Sequence, residues 1–242
     1  MALENSLKEI KEFILNKYKS NLAGLLVLGS ANTGNFKEGE SDINTMIFVK
    51  EQNNLNYEEE LNNLTRELSK YRFQSQYFHS LDSIKEYIQK RKSFSTYLVI
   101  TSEDGSKTLY STPEFEKIRQ LFKENPLTKT ELVEHINEKD KFELDGYMSG
   151  ESEEKYKDRA YRTTQNLLFH LRRKAQVINY LKTGNLIFDF DKCLSNIDLT
   201  SVERKELEGL YRMYEDRTSL SKEQTAEYFG IAKELTNKIN NM

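Results

Sequence analysis

The sequence predicts an α+β protein in two parts, a small β-sheet with flanking helices and then an all-α helical bundle. Three observations carry that expectation. The apolar run Ala23-Gly-Leu-Leu-Val-Leu-Gly-Ser30 has strand length and ends in Gly29-Ser30. After a ten-residue loop holding Gly34 and Gly39, a second apolar run, Thr45-Met-Ile-Phe-Val49, is entered through Ser41-Asp42-Ile43-Asn44. Residues 72–78, Arg72-Phe73-Gln74-Ser75-Gln76-Tyr77-Phe78, alternate loosely as a third strand, with Phe73, Ser75 and Tyr77 on one face and Gln74, Gln76 and Phe78 on the other. From Tyr156 onward, apolar residues recur mainly at the three- and four-residue steps of helices.

Taken in order, Leu7, Ile10, Phe13, Ile14 and Tyr18 make an amphipathic first helix, with Asn5-Ser6 as its expected cap. Tyr57, Leu61, Leu64 and Leu68 make a second covering helix. A helix is expected from Ser80-Leu-Asp-Ser83, and Thr96-Tyr-Leu-Val-Ile100 fits either a strand or a buried helix. Lys107-Thr-Leu-Tyr110 reads as a short edge strand. Thr112-Pro113-Glu114 opens a helix because proline suits a first turn, and Asn125-Pro126 breaks it. Residues 127–155 are highly charged and are expected to be a boundary region between a domain at 1–126 and a bundle at 156–242. In the bundle, a long helix from Tyr156 to Lys182 ends at Gly184, and two more run from Thr200 to Glu215 and from Ser221 to Asn240.

Composition narrows the function. Charged residues make up 31% of the chain and the net charge is −3, so no global basic field advertises nucleic acid. One cysteine, Cys193, excludes an internal disulfide, and with three scattered histidines it offers no zinc-type cluster. No apolar run approaches the ~18 residues of a membrane span, and the amino terminus lacks a leader pattern, so a soluble, cytoplasmic protein is expected. The chemistry concentrates at the first strand pair. Glycine lets backbone approach phosphate oxygens, serine adds a hydroxyl donor, and residues 42 and 44 point to one face of a strand, where a carboxylate can carry Mg²⁺.

At these residues the chain resembles the nucleotidyltransferase superfamily, the DNA polymerase beta-like fold, whose pattern is Gly-Ser, a loop, then Asp-x-Asp or Asp-x-Glu. Here the pattern stands as Gly29-Ser30 and Asp42-Ile-Asn44, with an asparagine as the second member of the acid pair. The resemblance implies a mixed sheet with flanking helices, like the aminoglycoside-type nucleotidyltransferases. It implies binding of NTP (ATP or GTP) with Mg²⁺ through Gly29, Ser30, Asn44 and Asp42, and transfer of a nucleoside monophosphate to a hydroxyl of an unidentified small-molecule, protein or nucleic-acid acceptor. Asp42 is then both the catalytic residue and the metal ligand. Active members use two acids on one strand and a third on a neighbouring strand to hold two ions. Gln74 and Gln76 stand where the third acid is expected, and no arginine follows Gly29-Ser30 where Asn32-Thr33-Gly34 lies. The alternative is therefore a catalytically inactive binding or regulatory module of the same fold.

Other features weigh less. Arg159, Arg162, Arg172, Arg173 and Lys174 lie on the long helix, and Lys174 is the cation expected to reach a triphosphate. Asn185-Leu-Ile-Phe-Asp189-Phe-Asp191-Lys192 superficially resembles the nucleophile strand of haloacid-dehalogenase-like phosphatases. Too little chain follows it for that fold, so a loop or short strand is expected. Neither His135 nor His170 has an arginine at the spacing used by small helical ribonuclease domains, and Arg72 and His79 come near it only on the third strand.

Overall fold

The computed structural model describes residues 3–34, 36–51, 56–90, 94–102, 104–139, 160–216 and 218–242. The chain forms two compact units, Met1–Pro126 and Leu127–Met242.

The first unit is built on four strands, β1 (Leu22–Leu28), β2 (Ile43–Val49), β3 (Phe73–Ser80) and β4 (Lys107–Ser111), in the order β3-β2-β1-β4. β1 runs antiparallel to β2 and β4, while β2 and β3 are parallel, so the sheet is mixed. β4 is the edge strand its short polar sequence suggests. Every residue of β1 is buried, which explains its unbroken apolar run: both faces of the strand are covered.

On one face, helix α1 (Leu3–Tyr18) packs Leu7, Ile10 and Ile14 against Leu25, Val27, Ile43 and Ile47, with Leu64 of α3 (Tyr57–Glu67). Asn5 and Ser6 lie inside α1 rather than capping it, and Ser6 is buried. On the other face, α6 (Pro113–Glu124) sets Phe115 so close to Gly24 that an added Cβ would stand 2.8 Å from the ring. Only glycine lets α6 approach this closely. The Phe115 and Phe48 rings meet at 4.4 Å between centroids, and each such buried aromatic contributes about 2–3 kcal/mol. Thr112 caps α6, its Oγ1 accepting from Phe115 N at 3.4 Å, and Asn125 Nδ2 closes the far end on Leu121 O at 2.9 Å.

The segment that fits strand or helix is helix α5 (Phe94–Thr101), whose residues 96–100 are all buried. It follows α4 (Leu81–Lys90), which begins where Ser83 N donates to Ser80 Oγ at 3.1 Å.

β3 departs from plain alternation. Thr45 pairs with Ser75 but Met46 pairs with Tyr77, so Gln76 is an extra residue in the β3 ladder. The bulge reverses the pattern beyond it, and Phe73 and Phe78 join the same core cluster. The expectation that they face opposite sides is corrected by that one inserted residue.

The second unit is helical. Helix α7 (Lys129–Lys139) falls inside the stretch expected as a boundary region and packs on α8 (Ala160–Thr183) and α11 (Lys222–Asn240) through buried Leu132 and Ile136. Thr128 and Glu131 cap it reciprocally. Residues 140–155, the rest of that stretch, lie outside the described residues, as do the first residues expected for the long helix. Short helix α9 (Phe190–Ser195) and helix α10 (Ser201–Glu215) complete the bundle around α8, with Leu171, Ala175, Leu207, Leu210 and Leu235 fully buried. α11 starts with the capping box Ser221–Gln224. Among the described residues no helix is long and apolar enough to cross a membrane.

Candidate functional site

The site begins where β1 ends. Gly29 has φ 64° and ψ −146°, a conformation open to glycine and strained for other residues, and it turns the chain into the single helical turn α2 (Ser30–Thr33). Asn32 and Thr33 donate their N–H groups to Gly29 O at 2.9 and 3.1 Å, and Asn32 Nδ2 ties the turn to Asp104 O at 2.7 Å. Ser30 is half-buried beside it.

The loop then returns through a turn in which Ser41 N donates to Lys37 O at 2.8 Å and Lys37 N to Ser41 Oγ at 3.0 Å. It delivers Asp42 to the start of β2. Arg72, at the start of β3, meets it there: Nε donates to Asp42 Oδ1 at 3.1 Å and Nη1 to Gly39 O at 3.0 Å. The backbone of Arg72 is left-handed (φ 52°), and its carbonyl accepts from Ile43 N at 3.1 Å. A side chain in that conformation costs roughly 1–2 kcal/mol, which the ion pair and the loop contact offset.

Strand register arranges the remaining residues. Ile43 pairs with Phe73, and both sit in the core cluster under α1 and α3. Alternation therefore puts Asn44 of one strand and Gln74 of the other on the opposite face, while Asp42 and Arg72 meet where the two strands begin. Asn44 lies between Leu28 of β1 and Gln74 of β3. It also lies against the turn, since a Cβ built on Gly29 would be 3.5 Å from Asn44 Nδ2. The structure thus brings Gly29, Asn44 and Asp42 to one end of the sheet, with Arg72 and Gln74 beside them. Side-chain exposure of 35% at Asp42 and 50% at Arg72 leaves the pair open to solvent.

Further along the same face lies His79, which from sequence only came near the arginine spacing of small helical ribonuclease domains. His79, in register with Phe48, is buried against Phe48, Tyr77 and Tyr87, and its Nε2 has no hydrogen-bond partner. Burial pushes its imidazole down to about 4, so it is neutral at physiological pH. It forms part of the aromatic floor behind the polar end.

Lys174 belongs to the second unit. It is fully buried in α8, and its Nζ donates to Thr236 Oγ1 of α11, so its ammonium serves the bundle interior. Arg172 lies over the Phe188 ring at 4.0 Å. Asp189 caps α9, accepting from Lys192 N at 2.9 Å, which gives this acid a structural use in a loop leading into a short helix. Arg159 and the side chain of Arg162 lie outside the described residues.

The donor set does not fit a two-ion metal centre. Asp42 is one carboxylate already paired with a guanidinium, and Asn44 and Gln74 add neutral amides. Among the described residues no group of three or more His, Cys, Asp or Glu side chains could hold a metal ion.

The fold is shared with a solved adenyltransferase. The chain is similar to spectinomycin adenyltransferase AAD(9) from Enterococcus faecialis, solved with ATP and spectinomycin, at 13% identity and a TM-score of 0.57 over 98% of this chain and 99% of that chain. At this identity the likeness is one of fold. A toxin-antitoxin structure with AMP-PNP (16% identity, TM-score 0.32, 60% of this chain and 98% of that one) is too distant to carry an argument. So is a nucleotidyltransferase-like protein from Exiguobacterium sibiricum 255-15 (11% identity, TM-score 0.32, 96% and 74%). No protein-family model and no curated protein matches the chain.

Proposed function

We propose that the protein binds a nucleoside triphosphate at the Gly29–Ser30 turn and that binding, rather than nucleotidyl transfer, is what the site is built for. One observation carries this: at the sheet end where the resemblance implies three carboxylates, register brings together Asp42, Asn44 and Gln74, a single acid and two amides. Two divalent ions bring four positive charges, and one carboxylate leaves nearly all of the compensation to the nucleotide. Gly29 lets phosphate oxygens approach backbone N–H groups, and the Ser30 hydroxyl adds a donor. The ATP in the AAD(9) structure supports the ligand class. Lys174, buried in the second unit, has no part in this proposal.

A second function, transfer of a nucleoside monophosphate to a hydroxyl acceptor with Asp42 on Mg²⁺, draws support from the full-length likeness to AAD(9), solved with ATP and spectinomycin. Calorimetric titration with Mg·ATP and Mg·GTP, with pyrophosphate release followed on the same sample, separates the two. Binding without release is expected. Metal-dependent release abolished by Asp42→Asn would establish the transferase instead, and absence of binding would leave the fold as a scaffold.

A further inference from the structure

We propose that Arg72 is the cation of this site, taking phosphate oxygens where the resemblance implies divalent ions, so that the nucleotide binds without metal. The inference rests on the nucleotide-binding function proposed above. It starts from charge. Asp42 and Arg72 cancel, and Asn44 and Gln74 are neutral, so the polar end of the sheet carries no net charge from these four residues. A cluster of three acids would repel a triphosphate until cations arrived; this arrangement does not.

Geometry supports the same assignment. The guanidinium has five N–H donors in a fork that matches phosphate, and the contacts to Asp42 and Gly39 use two of them. Half of the side chain is exposed to solvent. Arg72 and Asp42 each come two residues before the paired Gln74 and Asn44, at the start of the two strands, and Asn44 touches the position of Gly29. A phosphate chain lying from the Gly29–Ser30 turn past Asn44 to Asp42, where β2 begins, runs toward the guanidinium. The left-handed backbone of Arg72, unusual for a residue with a side chain, is fixed by its own hydrogen bonds rather than by glycine. An arginine therefore stands at a position where glycine would be easier. The Asp42 carboxylate orients the fork and competes with the ligand for it.

The test is calorimetric titration of the full chain with ATP, first in EDTA and then with Mg²⁺. Wild type is expected to bind ATP in EDTA within about threefold of its affinity in Mg²⁺, and Arg72→Gln to weaken that binding about tenfold. Asp42→Asn removes the competing carboxylate and is expected to tighten binding in EDTA and to leave it no weaker in Mg²⁺, where loss of a metal ligand would weaken it. This second variant keeps the inference falsifiable should Arg72→Gln fail to fold. Binding that appears only with Mg²⁺ and weakens in Asp42→Asn would overturn the role of Arg72 while leaving nucleotide binding intact. No ATP binding in either condition would overturn both.

Discussion

Gly29 and His79 are the two residues of the first unit whose conformation and surroundings yield the clearest quantitative consequences. At φ 64° and ψ −146°, Gly29 occupies backbone space that a β-branched side chain enters only with strain, so Gly29→Val should destabilise the protein by about 2 kcal/mol. It should also abolish ATP binding in the fraction that remains folded, because the new side chain fills the approach to the turn. Ser30→Ala removes one hydroxyl donor and should weaken ATP by no more than about tenfold. Titration of both variants, each checked for folding by circular dichroism, ranks them; equal affinity of Gly29→Val and wild type would remove the turn from the site. His79 gives a pH dependence whose sign is fixed. Its folded value of about 4 lies below the unfolded 6.5, so between these limits the unfolded chain binds more protons. The associated stability is fully present above about pH 6.5 and is lost as pH falls toward about 4, by up to roughly 3 kcal/mol. Urea unfolding of wild type and His79→Phe across that window should show a steeper loss in wild type. Parallel profiles would mean that the buried imidazole is not the titrating group.

Among the elements, β3 shows most clearly what the sequence could and could not convey. Its existence was legible, as were the Pro113 start of α6, the Asn125 stop and the Ser221 start of α11, because those depend on local sequence chemistry, while its place beside Asp42 came from the family resemblance alone. The bulge at Gln76 was not, because register is set by what packs across the strand rather than by the strand itself. For the same reason Asn5-Ser6 looked like a cap, although core packing carries α1 through it. The register also decides a question that composition left open: Gln74, paired with Asn44, is the position for a restored acid, and Gln76 is the inserted residue. Asn44→Asp with Gln74→Glu should therefore raise Mg²⁺ or Mn²⁺ affinity in the presence of ATP. Three carboxylates offset by one arginine repel each other without a cation, so the melting temperature of the double variant should fall in EDTA and recover with metal. A variant whose melting temperature is the same in EDTA and in Mn²⁺ would show that these positions do not converge on one ion.

Across the whole molecule, the chain divides into two units after Pro126, and helix α7 lies in the charged stretch 127–139 that reads from sequence as a boundary region. The signal was present in Leu132 and Ile136, four apart and both buried. Lys174 illustrates the same limit: it lies three residues after Leu171 and four before Ile178, on the apolar stripe of α8, and its burial follows from that spacing. The turn, Asp42, Arg72 and all four strands belong to the first unit, with their own core under α1 and a second layer under α6. Residues 1–126 expressed alone should therefore fold cooperatively, with a stability of about 5–10 kcal/mol. A single sigmoidal urea transition, with near-ultraviolet dichroism from the packed tyrosines and phenylalanines, is the expected result. Within that fragment Gly24→Leu should abolish the transition, because its side chain would enter the space the Phe115 ring occupies. A fragment that retains helical signal but shows no cooperative transition would mean that the sheet draws essential stability from residues 127–242, and the first unit would then not be an independent domain.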